Sequence, residues 1–203
     1  MQHIIHSENP DLQKIRLVVD VLRKGGIMVY PTDTVYALGC SLENKRAIEQ
    51  LAKLKGIKLK KANFSIIFND LSLLSDYAKH IDRPTYKILN KNLPGPFTFI
   101  LEATSKIPKL FDTKKKTIGI RIPDNQIVLE IVKELGHPIV TTSIHDDDDI
   151  LEYSTDPHII AGNWADKVDV LVDGGYGMNE PSTVVDLTDG VDIIRQGVGE
   201  LIY

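Results

Sequence analysis

The chain has 203 residues, 42% of them hydrophobic, a formal net charge of -4 at pH 7 and one cysteine, Cys40. That is enough chain for one full core, and no Pro/Gly/Ser-rich linker divides it, so a single domain over residues 1–203 is expected. A lone cysteine excludes an internal disulfide and a cysteine-built metal cage; the apolar runs fall far short of a membrane span, and the N-terminus MQHIIHSENP lacks a signal-peptide layout, which predicts a soluble cytoplasmic protein.

Residues 3–6 read as a first short strand, and His3 and His6 within it as strand residues rather than metal ligands. Asn9-Pro10 then looks like a helix N-cap followed by proline at the first helical position. Leu12, Ile15, Val18, Val19 and Leu22 recur at helical spacing, and Gly25-Gly26 supply a stop, so a helix over residues 10–24 is predicted. The apolar run Ile27-Met28-Val29-Tyr30 reads as a buried strand. Just past it, residues 30–40 read YPTDTVYALGC and gather Thr32, Asp33, Thr34 and Tyr36 into a few positions. A polar loop that begins where a strand stops and leads toward a helix is where open α/β sheets usually place ligands; the alternative is an ordinary connection capped by its own threonines. Cys40, beside a strand, reads as core rather than as a nucleophile.

Asn44 can cap a helix with Ala47, Ile48, Leu51 and Leu54 on its apolar face and Lys45, Arg46, Glu49 and Gln50 toward water, ending near Gly56. Lys55, Lys58, Lys60 and Lys61 follow with no acid among them. They belong to a charge asymmetry: residues 45–121 carry 17 Lys and Arg against 6 Asp and Glu, and the rest of the chain 7 against 22. A basic middle in an acidic protein predicts either a positive surface for an anionic ligand, such as a nucleotide or an RNA backbone, or merely solvated lysines.

Residues 64–68 (FSIIF) read as a strand, and residues 71–79 and 84–90 as helices capped by Asp70 and Asp82. Leu93-Pro94-Gly95-Pro96 is a rigid turn into a strand over residues 97–103, and a loop with Lys114-Lys115-Lys116 follows. In TIGIRIPDN (residues 117–125), Arg121 stands within an otherwise apolar strand, so it either meets a carboxylate or points into a cavity that holds an anion. Asp124 or Asn125 starts a helix that ends at Gly136. The strand over residues 138–142 runs into Thr141-Thr142-Ser143, a second hydroxyl cluster at a strand end. Asp146, Asp147, Asp148 and Asp149 read as a solvated loop rather than a cation site. A helix over residues 157–165, a strand over 168–172, the turn Asp173-Gly174-Gly175 and two strands over 183–187 and 192–195 complete the pattern, and the hairpin-like spacing near the end predicts a mixed sheet. There is no GxxxxGK[ST] loop, GxGxxG or GxSxG elbow.

The blocks YPTDTVYALGC, LPGPFTFIL, TIGIRIPDN, TTS, and STVVDLTDG with IIRQGVG, in this order and spacing, resemble the YrdC-like family of threonylcarbamoyl-AMP synthases over nearly the whole chain. RKGGIMVYPTD and GGYGMNEPSTVVDLTDG look most like its YciO-type branch. The resemblance implies an α/β fold with a twisted mixed sheet, flanked by helices, around a large basic cavity. It implies an enzyme that converts L-threonine, bicarbonate and ATP, with Mg2+, to threonylcarbamoyl-AMP and pyrophosphate for tRNA threonylcarbamoyladenosine modification. The alternative is a protein of the same fold that binds double-stranded RNA, tRNA or rRNA without efficient synthase activity. By the same resemblance Thr32, Asp33, Thr34 and Tyr36 hold threonine or its carbamate, Lys55 and Arg121 are the catalytic cations, and Lys58, Ser143, Ser182 and Arg195 hold the nucleotide. Two signatures depart from the family pattern. Lys55-Gly56-Ile57 stands where Lys-x-Arg is usual, which removes a phosphate-facing guanidinium, and Ser143-Ile144-His145 stands where Ser-Ala-Asn is usual. Lysine is not an equivalent donor at a bidentate site.

Overall fold

Among the described residues five α-helices begin where a short polar side chain takes up free backbone N–H groups at the first turn. They are α1 (Leu12–Arg23), α2 (Lys45–Leu54), α3 (Arg83–Asn92), α4 (Gln126–Leu135) and α5 (Pro157–Trp164), capped by Asp11, Asn44, Asp82, Asn125 and Asp156. The computed structural model describes residues 1–107, 111, 116–144 and 155–203; Lys114, Lys115, His145 and the aspartates at 146–149 lie outside them.

Two helix expectations are corrected. The first helix starts two residues later than the Asn9-Pro10 signal, because Asp11 is the better placed acceptor: its Oδ1 takes the N–H groups of Gln13 and Lys14 at 2.9 and 3.4 Å. The helix expected over residues 71–79 does not form. Asp70 Oδ1 instead accepts from Ser72 N at 2.7 Å, a local turn that competes with helix, leaving only a 3-10 turn at Leu74–Asp76. Ala78 then bridges to Ala103 beside the sheet.

Among the described residues ten strands form one mixed sheet: β1 (Gln2–Ile4), β2 (Ile27–Tyr30), β3 (Ala37–Ser41), β4 (Ser65–Ile67), β5 (Phe97–Glu102), β6 (Thr117–Arg121), β7 (Ile139–Ser143), β8 (Val170–Asp173), β9 (Thr183–Asp186) and β10 (Asp192–Arg195), in the order β1-β8-β2-β3-β7-β4-β6-β5-β9-β10. The expectation of a mixed sheet holds, with β9 and β10 antiparallel and β5 and β9 parallel. The polar loop after β2 does not lead to a helix. It closes a hairpin with β3, in which Tyr30 pairs with Ala37 and Met28 with Gly39. Gly39 lies within β3, where a Cβ would meet Tyr30 Cε1 at 2.8 Å, so glycine makes room for the tyrosine ring.

Side chains alternate across a strand, so register divides the sheet into two faces. On one face α2, α3 and α5 contribute to a core that includes Val29, Leu38, Cys40, Ile66, Phe99, Ile120, Val140 and Val185. The Cys40 thiol is pushed up to about 12 by its burial, which fits core rather than chemistry. On the other face α1 and α4 pack together over Met28, Tyr30, Ala37, Ile67, Ile139, Val170 and Val172. Each large aliphatic side chain so buried stabilises the fold by about 1.5–3 kcal/mol. On that second face, register joins Gly39, Thr141, Ser65, Gly119 and Ile100 into one row across β3, β7, β4, β6 and β5. This row is mostly small and polar, and from Thr141 onward it lines a cavity instead of a helix interface.

Asn125 ties α4 to this arrangement. Its Oδ1 accepts from Ile127 N and Val128 N, and its Nδ2 reaches Thr32 O in the hairpin loop at 3.4 Å. Asn125→Ala is expected to lower unfolding free energy by about 1–2 kcal/mol, read as a lower midpoint in urea with an unchanged slope.

Candidate functional site

The hairpin loop between β2 and β3 folds on its own hydroxyls. Thr32 Oγ1 donates to Val35 O at 2.8 Å and accepts from Thr34 N at 3.0 Å, with Thr34 Oγ1 a further 3.1 Å away. That turn aims Asp33 and Thr34 at the end of β6. Arg121 Nη2 donates to Asp33 Oδ1 at 2.9 Å and to Thr34 Oγ1 at 3.1 Å, and the second Asp33 oxygen accepts from Asp124 N at 3.0 Å. The Arg121 and Asp33 side chains are only 9% and 8% exposed, so this is a buried pair. Burial pushes the Asp33 carboxyl up from its ordinary value, while the Arg121 guanidinium and the Asp124 N–H pull it back. Arg121 Nε is buried and makes no hydrogen bond among the described residues, a donor that water or an anion can satisfy. Of the two readings of Arg121 from sequence, the carboxylate partner is the one the structure shows; the side chain also lines a cavity.

That cavity measures about 610 Å³, within the range of small-molecule sites. Thr34, Ser65, Thr98, Gly119, Arg121 and Thr141 contribute its polar floor, and Phe64, Ile107, Phe111 and Ile118 an apolar side. Its floor is fixed by buried hydrogen bonds. Tyr30 OH and Thr141 Oγ1 lie 2.5 Å apart, and Thr98 Oγ1 and Ser182 Oγ 2.8 Å apart. The phenol of Tyr30 is held well above its usual range by burial. Arg195 reaches the cavity through a register shift in β10: Ile193 faces Val185 and Arg195 faces Val184, so Ile194 is extra. Such a bulge re-aims side chains, and both Ile194 and Arg195 line the cavity. Arg195 Nη2 donates to Ser182 O at 2.9 Å. The described lining holds two arginines and no carboxylate.

Of the residues singled out from sequence, Thr34, Arg121, Ser143, Ser182 and Arg195 converge on this cavity. Thr32, Asp33, Tyr36, Lys55 and Lys58 are not among its described lining residues. Thr32 and Asp33 stand behind Thr34 and Arg121. The Tyr36 hydroxyl is engaged by backbone, donating to Gly175 O at 2.6 Å and accepting from Gly174 N at 3.1 Å. Lys58 is exposed at the start of a 3-10 turn, Leu59–Lys61. Lys55 sits at the C-cap of α2, whose end is set by Gly56 in the left-handed region (φ 68°) and by the bonds Gly56 N to Lys53 O and Ile57 N to Ala52 O. From there Lys55 Nζ donates to Ser143 O at 3.1 Å, on the cavity rim. The bulky Ile144 does not narrow the cavity; it is buried in the core, with its N–H donating to Tyr36 O.

Sequence reading passed over Asn63, Ser65, Thr98, Gly119 and Asn179 as lining residues. For Ser65, Thr98 and Gly119 a signal existed: each alternates with large apolar residues on the covered face of its strand. Asn63 and Asn179 lie in loops, where no periodicity marks them.

Comparison with known proteins places this architecture. The Sua5/YciO/YrdC family profile, described as telomere recombination, matches residues 20–197. The YciO protein of Escherichia coli K12 is 39% identical over 97% of this chain and 95% of its own, and the E. coli YciO crystal structure superposes with a TM-score of 0.88 over 98% and 97% of the two chains. The threonylcarbamoyl-AMP synthase of Nitrosococcus oceani is 32% identical over 64% of this chain and 70% of its own. Sua5 of P. abyssi, crystallised with L-threonine, shares the fold at 24% identity, with a TM-score of 0.87 over 99% of this chain and 62% of that one. The chain belongs to the Sua5/YciO/YrdC family.

Proposed function

We propose that this protein is a threonylcarbamoyl-AMP synthase-like enzyme, joining L-threonine, bicarbonate and ATP into threonylcarbamoyl-AMP with release of pyrophosphate. The observation that carries the reading is the buried Arg121, fixed by Asp33 and Thr34 while lining a cavity whose described walls hold no carboxylate. A relative named threonylcarbamoyl-AMP synthase, at 32% identity, supports the same reaction class.

In this reading the threonine amine condenses with bicarbonate to a carbamate, losing water, and a carbamate oxygen attacks the α-phosphorus as pyrophosphate leaves. Little covalent work falls to the protein; positioning and charge neutralisation carry the catalysis. Arg121 and Arg195 neutralise carboxylate and phosphate oxygens, for which guanidinium forks are suited. The hydroxyls of Thr34, Ser143 and Ser182 orient the amino acid and the α-phosphate. Lys55 acts on the rim by holding the Ser143 carbonyl, and Lys58, exposed, serves only as a distant charge. Magnesium enters as part of the substrate MgATP, since the described lining has no carboxylate to hold the ion separately.

The test is pyrophosphate release from MgATP with bicarbonate, comparing L-threonine, L-serine and no amino acid. Threonine-dependent release is expected; release that ignores the amino acid, or none at all, contradicts the reading. Arg195→Ala is expected to raise the KM for ATP roughly tenfold or more, the usual scale for losing a charged hydrogen bond, in a variant whose circular dichroism spectrum matches the wild type. An unaltered KM in the folded variant removes Arg195 from the site.

A further inference from the structure

The glycine-rich segment over residues 174–181 runs along the outside of the hairpin loop and delivers Asn179 and Pro181 to the cavity wall. Little of it is buried: Gly175, Tyr176, Met178 and Asn179 are exposed, with Tyr176 at 76%. A strap with so few buried contacts depends for its position on a small number of bonds. Two of those bonds end on one side chain. The hydroxyl of Tyr36, itself fully buried, donates to Gly175 O at 2.6 Å and accepts from Gly174 N at 3.1 Å. The ring of Tyr36 lies against Gly177 so closely that a Cβ there would meet Cδ2 at 2.8 Å. Gly174 is similarly confined, a Cβ meeting Pro31 Cγ at 2.6 Å. Two residues before Tyr36, the Thr34 carbonyl accepts from Met178 N at 2.9 Å. Further ties among the described residues are Gly177 N to Thr155 O at 2.8 Å, Gly175 N to Asp173 Oδ1 at 3.0 Å, Val198 N to Pro181 O at 3.1 Å and the long Tyr176 OH contact to Asp156 at 3.4 Å.

We propose that Tyr36 is a positioning residue: it clamps the strap over residues 174–181 onto the loop that carries Thr34, and so fixes the cavity wall on which Asn179 stands. Tyr36 touches no substrate in this account. Its phenol, pushed up to about 12 by burial with the Gly174 N–H pulling back, stays protonated and so keeps its donor for Gly175 O across the neutral range. Strand β3, which begins at Ala37, is anchored on both sides in the sheet, so the clamp transmits the sheet's rigidity to an otherwise exposed wall. The spacing of the glycines follows from this contact, because Gly174 and Gly177 are the positions where the strap approaches Pro31 and the Tyr36 ring.

Tyr36→Phe keeps the ring and removes only the hydroxyl. Amide hydrogen exchange of the variant is expected to speed up about tenfold at Gly174, Gly177 and Met178, the scale for losing a hydrogen bond or two, while amides of α4 and β3 exchange as in the wild type. Those unchanged amides also show that the variant is folded. Exchange in the strap equal to the wild type overturns the proposal. The catalytic consequence rests on the synthase reading: in threonine-dependent pyrophosphate release the KM for threonine rises more than kcat falls, and Tyr36→Phe and Asn179→Ala combine non-additively. Strictly additive effects mean that Asn179 is not positioned through Tyr36. If the wild type releases no pyrophosphate, the synthase reading fails while the exchange result still decides the clamp.

Discussion

The site is organised by one buried ion pair. Asp33 and Arg121 come from segments 88 residues apart and meet at 2.9 Å with both side chains almost wholly out of water. A buried pair adds little net stability, because the attraction offsets the cost of removing two charges from solvent. Its effect here is geometric. Asp33 accepts from Arg121 on one oxygen and from Asp124 N on the other, so the hairpin loop, the end of β6 and the approach to α4 form a single unit. With Nη2 committed to Asp33 and Thr34, the guanidinium is held in one orientation while it lines the cavity. An arginine fixed in advance loses less freedom on meeting an anion than a lysine swinging from the surface.

The cavity exists because one sheet face changes character along its width. Where α1 and α4 cover it, the face carries Met28, Tyr30, Ile67 and Ile139. Beyond them the same face carries Thr141, Ser65, Gly119 and Thr98, which are too small and too polar to form a helix interface. Gly119 allows the tightest approach, since a Cβ there would meet Ser65 Oγ at 2.6 Å. The opposite face carries Leu38, Val140, Ile66, Ile120, Phe99 and Val185 across the same width and supplies the rigidity. The floor is thereby held by the sheet and the outer wall by a strap that leans on Tyr36.

Much of this was legible in the chain. Strand and helix positions followed from periodicity and caps, as at Asn44, Asn125 and Gly136, and the ordered motifs identified the family. The failures have local causes. Residues 71–79 carry a helical pattern, yet Asp70 turns the backbone and the sheet takes Ala78. The loop after Tyr30 has the composition of a strand-to-helix connection, and only the pairing of Tyr30 with Ala37 reveals a hairpin. Within the site, the family resemblance pointed to Thr34, Arg121, Ser143, Ser182 and Arg195, which line the cavity, but could not separate them from Thr32, Asp33 and Tyr36, because adjacent residues in a tight loop face different ways. Lys55 and Lys58, three residues apart, end on the cavity rim and in solvent respectively, a division set by the left-handed Gly56 between them.

The central claim is that the cavity behind the Asp33–Arg121 pair is where the amino acid and nucleotide meet. The most direct measurement is a crystal structure of the protein soaked with L-threonine, bicarbonate and a nonhydrolysable ATP analogue. The account predicts ligand density in the cavity, with an anionic oxygen on Arg121 and a ligand atom within hydrogen-bond distance of Thr34 or Ser182. An empty cavity at saturating ligand, or density confined to the exposed lysines near Lys58, would contradict it.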